Sequence, residues 1–238
     1  MKVLIACEES QTVCKAFRGT GHEAYSCDIQ ECSGGHPEWH IIGDALDIID
    51  TSVRRLFYLQ NGRSVAISEW DLLIAHPPCT YLTVTGNGWF NFEKYGAKAF
   101  ERHIERLKAA EFFTRLWLNK IPMVCLENPI GFMNQIFKPS QIIQPFYFGD
   151  EAQKTTCLWL RGLPKLMHFK EEDLFDSKTH VSKGEIITFK SGKKMPKWYA
   201  DAWKDDDRSK LRSKTFEGIA NAMADQWGNC FRTLISKY

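Results

Sequence analysis

An α/β fold is predicted, with a doubly wound, mostly parallel, Rossmann-like sheet and a small C-terminal lobe. Short apolar runs bounded by turn residues alternate with stretches of helical periodicity, and a polar residue closes each of the main runs. The chain has 238 residues, 44% of them hydrophobic, which is enough for one substantial core.

Val3 to Ala6 is a buried strand, Gln11 to Arg18 a helix closed by Gly19 and Gly21, and Ala24 to Cys27 a second strand ending at Asp28. Strand, helix, strand implies a right-handed parallel crossover. Trp39 to Ile42 is a third strand, leading into Gly43-Asp44. Asp71 to Ala75 is a fourth, and His76-Pro77-Pro78-Cys79-Thr80 follows it; the two prolines stop the strand and stiffen a turn that presents a thiol. From Lys94 to Trp117, apolar residues at Ala99, Ile104, Leu107, Ala110, Phe113 and Trp117 recur at helical spacing. Met123 to Leu126 then ends in Glu127-Asn128-Pro129. Ile142 to Phe148 and Thr156 to Leu160 are further strands, and a helical pattern returns from Thr215 through Trp227. These elements divide the chain into a core over 1–164, a lobe over 165–214 and a returning helical segment over 215–238.

No run of about 18 apolar residues occurs, and the N-terminus turns acidic at Glu8-Glu9, so neither a membrane span nor a signal peptide is expected. The expected location is the cytoplasm. Eight cysteines are scattered through strand-like and helical segments and read as reduced thiols. A net charge of +2 does not argue for a nucleic-acid partner, but Lys183 to Lys214 carries ten Lys or Arg against five acids, with Phe189, Trp198, Tyr199 and Trp203 interleaved. Lys190, Lys193, Lys194, Lys197, Arg208 and Lys210 are candidate phosphate contacts, and Trp198 or Tyr199 a stacking platform; a solvated lobe is the alternative. Cys27, Cys32, His36 and His40 are zinc-type ligands at a spacing unlike a zinc finger's, so no metal is expected.

In a doubly wound sheet, ligands sit beyond the carboxyl ends of the strands, which makes Cys79 a candidate nucleophile. Asp71-Leu72-Leu73-Ile74 running into Pro77-Pro78-Cys79, followed by Gly86, resembles the catalytic loop of the cytosine-5 DNA methyltransferase family. Leu126-Glu127-Asn128-Pro129 resembles its Glu-Asn-Val strand end. Gly43-Asp44 with Leu46 is similar to its adenine-binding element, Asp28 falls where an acid binds ribose hydroxyls, and Ser213 to Ala220 is loosely similar to its returning C-terminal motif. The likeness spans nearly the whole chain. It implies the class I fold of S-adenosylmethionine-dependent methyltransferases, a cofactor pocket over Ala6, Glu8, Glu9, Asp28, Ile29, Asp44, Ala45 and Pro77, and DNA as partner. It further implies a phage setting in which methylation shields DNA from restriction.

The chemistry asks for these residue types on its own terms. Carbon 5 of cytosine is a poor nucleophile until a thiolate adds at carbon 6, which is the role expected of Cys79. Glu127 is expected to stabilise charge developing toward N3 while reading the exocyclic amine, with its pKa raised by burial, and Asn128 to orient the loop backbone. His76, Pro78, Thr80 and Lys154 are the expected substrate contacts beside the basic lobe, although His76 equally fills space where the family has glycine.

The pattern also departs from the family's. Ala6-Cys7-Glu8-Glu9-Ser10-Gln11 has no glycine where the family has a glycine-rich turn. Either Glu8 or Glu9 contacts the methionine ammonium, or the pocket is altered or closed. Lys154 is the sole cation in the segment that matches the family's Gln-x-Arg-x-Arg, and about fifty residues replace a full recognition domain. Two rival readings follow: a silent relative that binds nucleic acid or a host protein, and an enzyme acting on RNA or a free pyrimidine nucleotide.

Overall fold

The computed structural model describes residues 1–50, 55–172, 177–202 and 214–228. Seven strands make one sheet: β1 (Lys2–Ala6), β2 (Glu23–Asp28), β3 (His40–Ile42), β6 (Leu72–Ala75), β7 (Met123–Pro129), β8 (Gln141–Ile143) and β9 (Thr156–Arg161). Their order is β3-β2-β1-β6-β7-β9-β8. The first five run parallel, and β9 is antiparallel to both of its neighbours. From β1 the chain moves outward to β3, then returns to place β6 on the other side of β1. The order therefore reverses between the ends of β1 and β6, which is where an open α/β sheet opens a crevice. This mostly parallel α/β arrangement is Rossmann-like, as expected.

Period-two alternation builds the two layers. Val3 and Ile5 of β1 pack with Val13 and Phe17 of α1 (Thr12–Gly19) and with Ile219, Met223 and Trp227 of the C-terminal helix (Glu217–Gly228). Leu4 and Ala6 face the opposite layer, with Ala110, Phe113 and Leu116 of the long helix Ala97–Trp117. β6 and β7 divide in the same way, and because both faces are covered these strands read as unbroken apolar runs. Each fully buried Leu or Ile contributes about 1.5–3 kcal/mol.

Several expectations change. The strand expected over Ile142 to Phe148 ends at Ile143, because Pro145 opens a 3-10 turn over Pro145–Tyr147. The helix expected from Lys94 starts at Ala97, after Gly96 at φ +50°, and Phe92–Tyr95 forms a separate turn. A hairpin of β4 (Arg55–Tyr58) and β5 (Ser64–Ile67), not foreseen, covers one sheet face with Phe57 and Ile67. The lobe carries a second hairpin, β10 (Ile186–Thr188) with β11 (Lys194–Pro196), followed by the short helix Lys197–Asp201. It is tied to the core by paired amide bonds between Gln141 and Leu166 and by the His168–His180 hydrogen bond stacked on Tyr147. Trp203, Asp205 to Asp207, Arg208, Lys210, Ser213 and Cys230 lie outside the described residues. No helix among the described residues is long and apolar enough to cross a membrane.

Candidate active site at the sheet's switch point

The β1 end turns without glycine, and it does so because Cys7 and Gln11 both adopt φ +58°. Glu8 points inward. One carboxylate oxygen accepts from the Val13 N–H at 2.6 Å and the other from the Cys14 N–H at 3.2 Å, so Glu8 caps the first turn of α1. Burial pushes its pKa up to about 6, against the opposing pull of His76, the two backbone hydrogen bonds and Lys15. Both oxygens of the carboxylate expected to meet a methionine ammonium are thus engaged by backbone N–H groups of α1. Glu9 accepts from the Ser33 hydroxyl, and its carbonyl accepts from the Ser33 N–H at 2.9 Å. Gln11 clasps the same loop, donating to the His36 carbonyl at 2.9 Å and accepting from the His36 N–H at 3.0 Å. Gly34 permits this contact: a Cβ there would sit 2.5 Å from the Ser10 carbonyl oxygen.

Asp28, the last residue of β2, accepts from the Gln30 N–H, and Asp44 accepts from the Leu46 N–H at the start of the short helix Ala45–Ile48. Both charges reach Cys7, whose thiol is pushed up to about 12, first by burial and then by these carboxylates. Ala6 and Ala45 are buried, while Ile29 is 77% exposed. Asp44 also lines a cavity of about 270 Å³ with Gly43, Asp47 and Arg55. His40 is a core residue, bonded to the Ser26 hydroxyl and the Gln30 carbonyl.

At the β6 end, the His76 N–H donates to the Ala6 carbonyl at 3.0 Å, extending the pairing by one row. His76 Nδ1 lies 2.8 Å from Glu127 Oε2, with the two side chains 10% and 8% exposed. The Asn128 amide donates to the Pro77 carbonyl at 2.7 Å, holding the backbone two residues before Cys79. Pro77 is buried, Pro78 and Thr80 are exposed, and Cys79 is half-buried and in no disulfide. The Cys79 carbonyl accepts from the Leu82 and Thr83 N–H groups, so a tight turn follows it. Gly131 lets the loop after β7 press on this turn, since a Cβ there would lie 1.9 Å from the Leu82 oxygen.

Glu127 departs from the expected raised pKa. Burial does raise it, but the His76 hydrogen bond and the charges of Lys154 and His76 outweigh burial and hold the carboxyl below its usual range. Lys154 therefore belongs to this cluster electrostatically, and its ammonium also donates to the Lys214 carbonyl. Two arginines escaped the sequence reading. Arg102 and Arg106, one turn apart on the long helix, donate to the Thr80 and Tyr81 carbonyls, and Arg106 lies 3.4 Å from the centre of the Phe90 ring. Their i, i+4 spacing was the available signal.

In the lobe, Lys193 and Lys194 are exposed and Lys197 pairs with Glu185. Trp198 donates to the Gln153 carbonyl and meets Phe216 edge-on at 5.2 Å. It walls a cavity of about 480 Å³ with Asp150, Asp201 and Glu217. The structure thus gathers His76, Pro77, Glu127, Asn128 and Lys154 around the loop bearing Cys79, and leaves Lys193, Lys194 and Lys197 on the separate hairpin region.

No protein-family model matches the chain, and no curated protein matches it in sequence. Among solved structures, it is similar to a candidate DNA modification methyltransferase encoded within a prophage (E. coli). That match has 12% identity and a TM-score of 0.39, and covers 76% of this chain and 53% of the other. The chain thus spans about half the length of that protein, and at this degree of likeness the match carries no weight in the assignment that follows.

Proposed function

We propose that the chain is an S-adenosylmethionine-dependent methyltransferase that methylates carbon 5 of cytosine in DNA. The observation that carries the reading is the convergence of Asn128 on the Pro77 carbonyl and of Glu127 on His76 at the sheet's switch point. These contacts hold the Cys79 loop beside a buried carboxyl. The proposed division of labour is a core over 1–164, a recognition lobe over 165–214 and a closing segment over 215–238.

Cys79 attacks carbon 6 of the ring as thiolate, Glu127 meets the charge developing at N3 and accepts from the exocyclic amine, and Asn128 fixes the loop that carries the sulfur. Arg102 and Arg106 brace the same loop from the long helix. A cytosine in duplex DNA must leave the stack to reach this site, at a cost of a few kcal/mol. Bound S-adenosylmethionine supplies the electrophilic methyl group. The left-handed Cys7 and Gln11 give the turn a path that glycine usually provides, and Asp28, Ile29, Asp44, Ala45 and Pro77 are the residues that would hold the cofactor.

A silent nucleic-acid-binding relative is the second reading, favoured by the clasp of Glu9 and Gln11 on the loop around Ser33 to His36. Transfer of labelled methyl to DNA, RNA and cytidine nucleotides, with Cys79→Ser alongside, separates the readings. Incorporation into DNA that is lost in the variant is the expected result. Incorporation into RNA or nucleotide alone replaces the substrate, and no incorporation by folded protein favours the silent relative.

A further inference from the structure

His76 stands where the likeness would put glycine, and it is not loosely placed. Its Nδ1 lies 2.8 Å from Glu127 Oε2 across 51 residues of sequence, and the ring is nine-tenths buried. Its Nε2 is buried with no hydrogen-bond partner. The two nitrogens lie on different edges of the ring, so with Nδ1 on β7, Nε2 is turned away from Glu127. One proton lies in the Nδ1–Oε2 hydrogen bond, whichever atom carries it.

The groups around this pair are few. Glu8 approaches from the β1 turn and interacts with the His76 charge, with Lys15 behind it. Lys154 approaches Glu127 from the segment before β9. Cys125 and Cys157 also sense Glu127, but burial first, and then its charge, raise their thiols, which favours their neutral forms. His76 is thus flanked by two carboxylates, one capping a helix and one facing the reactive loop.

We propose that His76 and Glu127 form a proton-sharing pair, in which His76 is a positioning residue that supplies Glu127 with the proton delivered to the pyrimidine ring. This rests on the methyltransferase reading for its substrate. The proposed step draws on the imidazolium–carboxylate form of the pair. As the Cys79 sulfur bonds to carbon 6, the C5–C6 π pair shifts through the ring toward N3. N3 takes a proton from the Glu127 carboxyl, which has received it from His76 Nδ1. The products are a neutral adduct, a neutral imidazole and a carboxylate, so charge and protons balance. When the thiolate leaves, the N3 proton retraces the same route.

The test uses two variants with a readout that does not need turnover. His76→Asn keeps an amide N–H near the Nδ1 position but holds no transferable proton, whereas His76→Gly removes both. The carboxyl carbon of Glu127 is followed by ¹³C NMR titration in the whole protein, assigned against Glu127→Gln. Its midpoint is expected to rise in His76→Asn and further in His76→Gly. In the transfer assay, His76→Asn is expected to lose about 10²-fold in kcat, the scale of a general acid, with KM little changed. Its rate should also lose the pH dependence expected of the parent. An unmoved midpoint in both variants overturns the pair, and so does a parent-like kcat and pH profile in His76→Asn. If the midpoints move but the parent transfers no methyl to any acceptor, the methyltransferase reading fails and the proton-sharing pair stands.

Discussion

Glu8 and Glu127 are both buried at strand ends around one switch point, 4% and 7% exposed, yet their surroundings push them in opposite directions. Glu8 turns to two backbone N–H groups of α1, and burial still raises it to about 6. Glu127 turns to an imidazole, with an ammonium at longer range, and these pull it down despite equal burial. For Glu8 the charge of His76 and two peptide N–H groups do not outweigh desolvation; for Glu127 a direct hydrogen bond from His76 together with the charge of Lys154 does. Burial alone therefore does not fix a carboxyl's charge. The first carboxyl serves the helix, and the second is the one to which the proposed chemistry falls.

The largest effect should come from breaking the chemical side. Glu127→Gln keeps the shape and is expected to slow methyl transfer by about 10²–10⁴-fold, the range for removing a general acid. Glu8→Gln, measured in the same single-turnover assay, should stay close to the parent.

Breaking the structural side comes next. Glu8→Ala leaves the Val13 and Cys14 N–H groups buried without an acceptor, and urea unfolding should show a loss of about 2–4 kcal/mol.

The pH dependence sharpens the contrast at smaller amplitude. Glu8 titrates at about 6 in the folded chain against 4.5 as the reference, so its protonated form favours folding. Its stabilisation is complete below 4.5 and is lost as pH rises through 6, a change of about 2 kcal/mol. Glu127 has the opposite sign: its contribution is present above 4.5 and is lost as pH falls through its lowered folded value. Urea midpoints taken from pH 4 to 7 should flatten in Glu8→Gln over the upper part of that range. A profile unchanged by the substitution would contradict the raised value.

The smallest effect is expected from Asn128→Ala, which removes the donor on the Pro77 carbonyl at about 1 kcal/mol and should speed amide exchange through residues 79–83.

The sheet was legible because its inner strands are buried on both faces, so Val3 to Ala6, Asp71 to Ala75 and Met123 to Leu126 stand out as apolar runs. The β4–β5 hairpin was not legible, since Leu56 and Tyr58 face solvent and blur its pattern. The Glu8 cap was not legible because an acid after β1 looks the same in sequence whether it faces a ligand or caps the next helix. The His76–Glu127 bond was hidden for a different reason: it depends on register between two parallel strands, which no local spacing encodes. The path of the glycine-free turn was not legible either, because Cys7 and Gln11 reach the left-handed region without glycine, at some cost in strain.

β9 runs against its neighbours, so it begins at the edge where β1, β6 and β7 finish. The connection between Ile143 and Thr156 consequently lies at the same sheet edge, and Lys154 within it acts on the Glu127 charge. Phe148 packs into the layer of the C-terminal helix and Asp150 accepts from the Gly218 N–H, so this connection is part of that layer and not a free rim. One reversed strand thus lets a single connection join the sheet edge, the Glu127 cluster and the C-terminal helix.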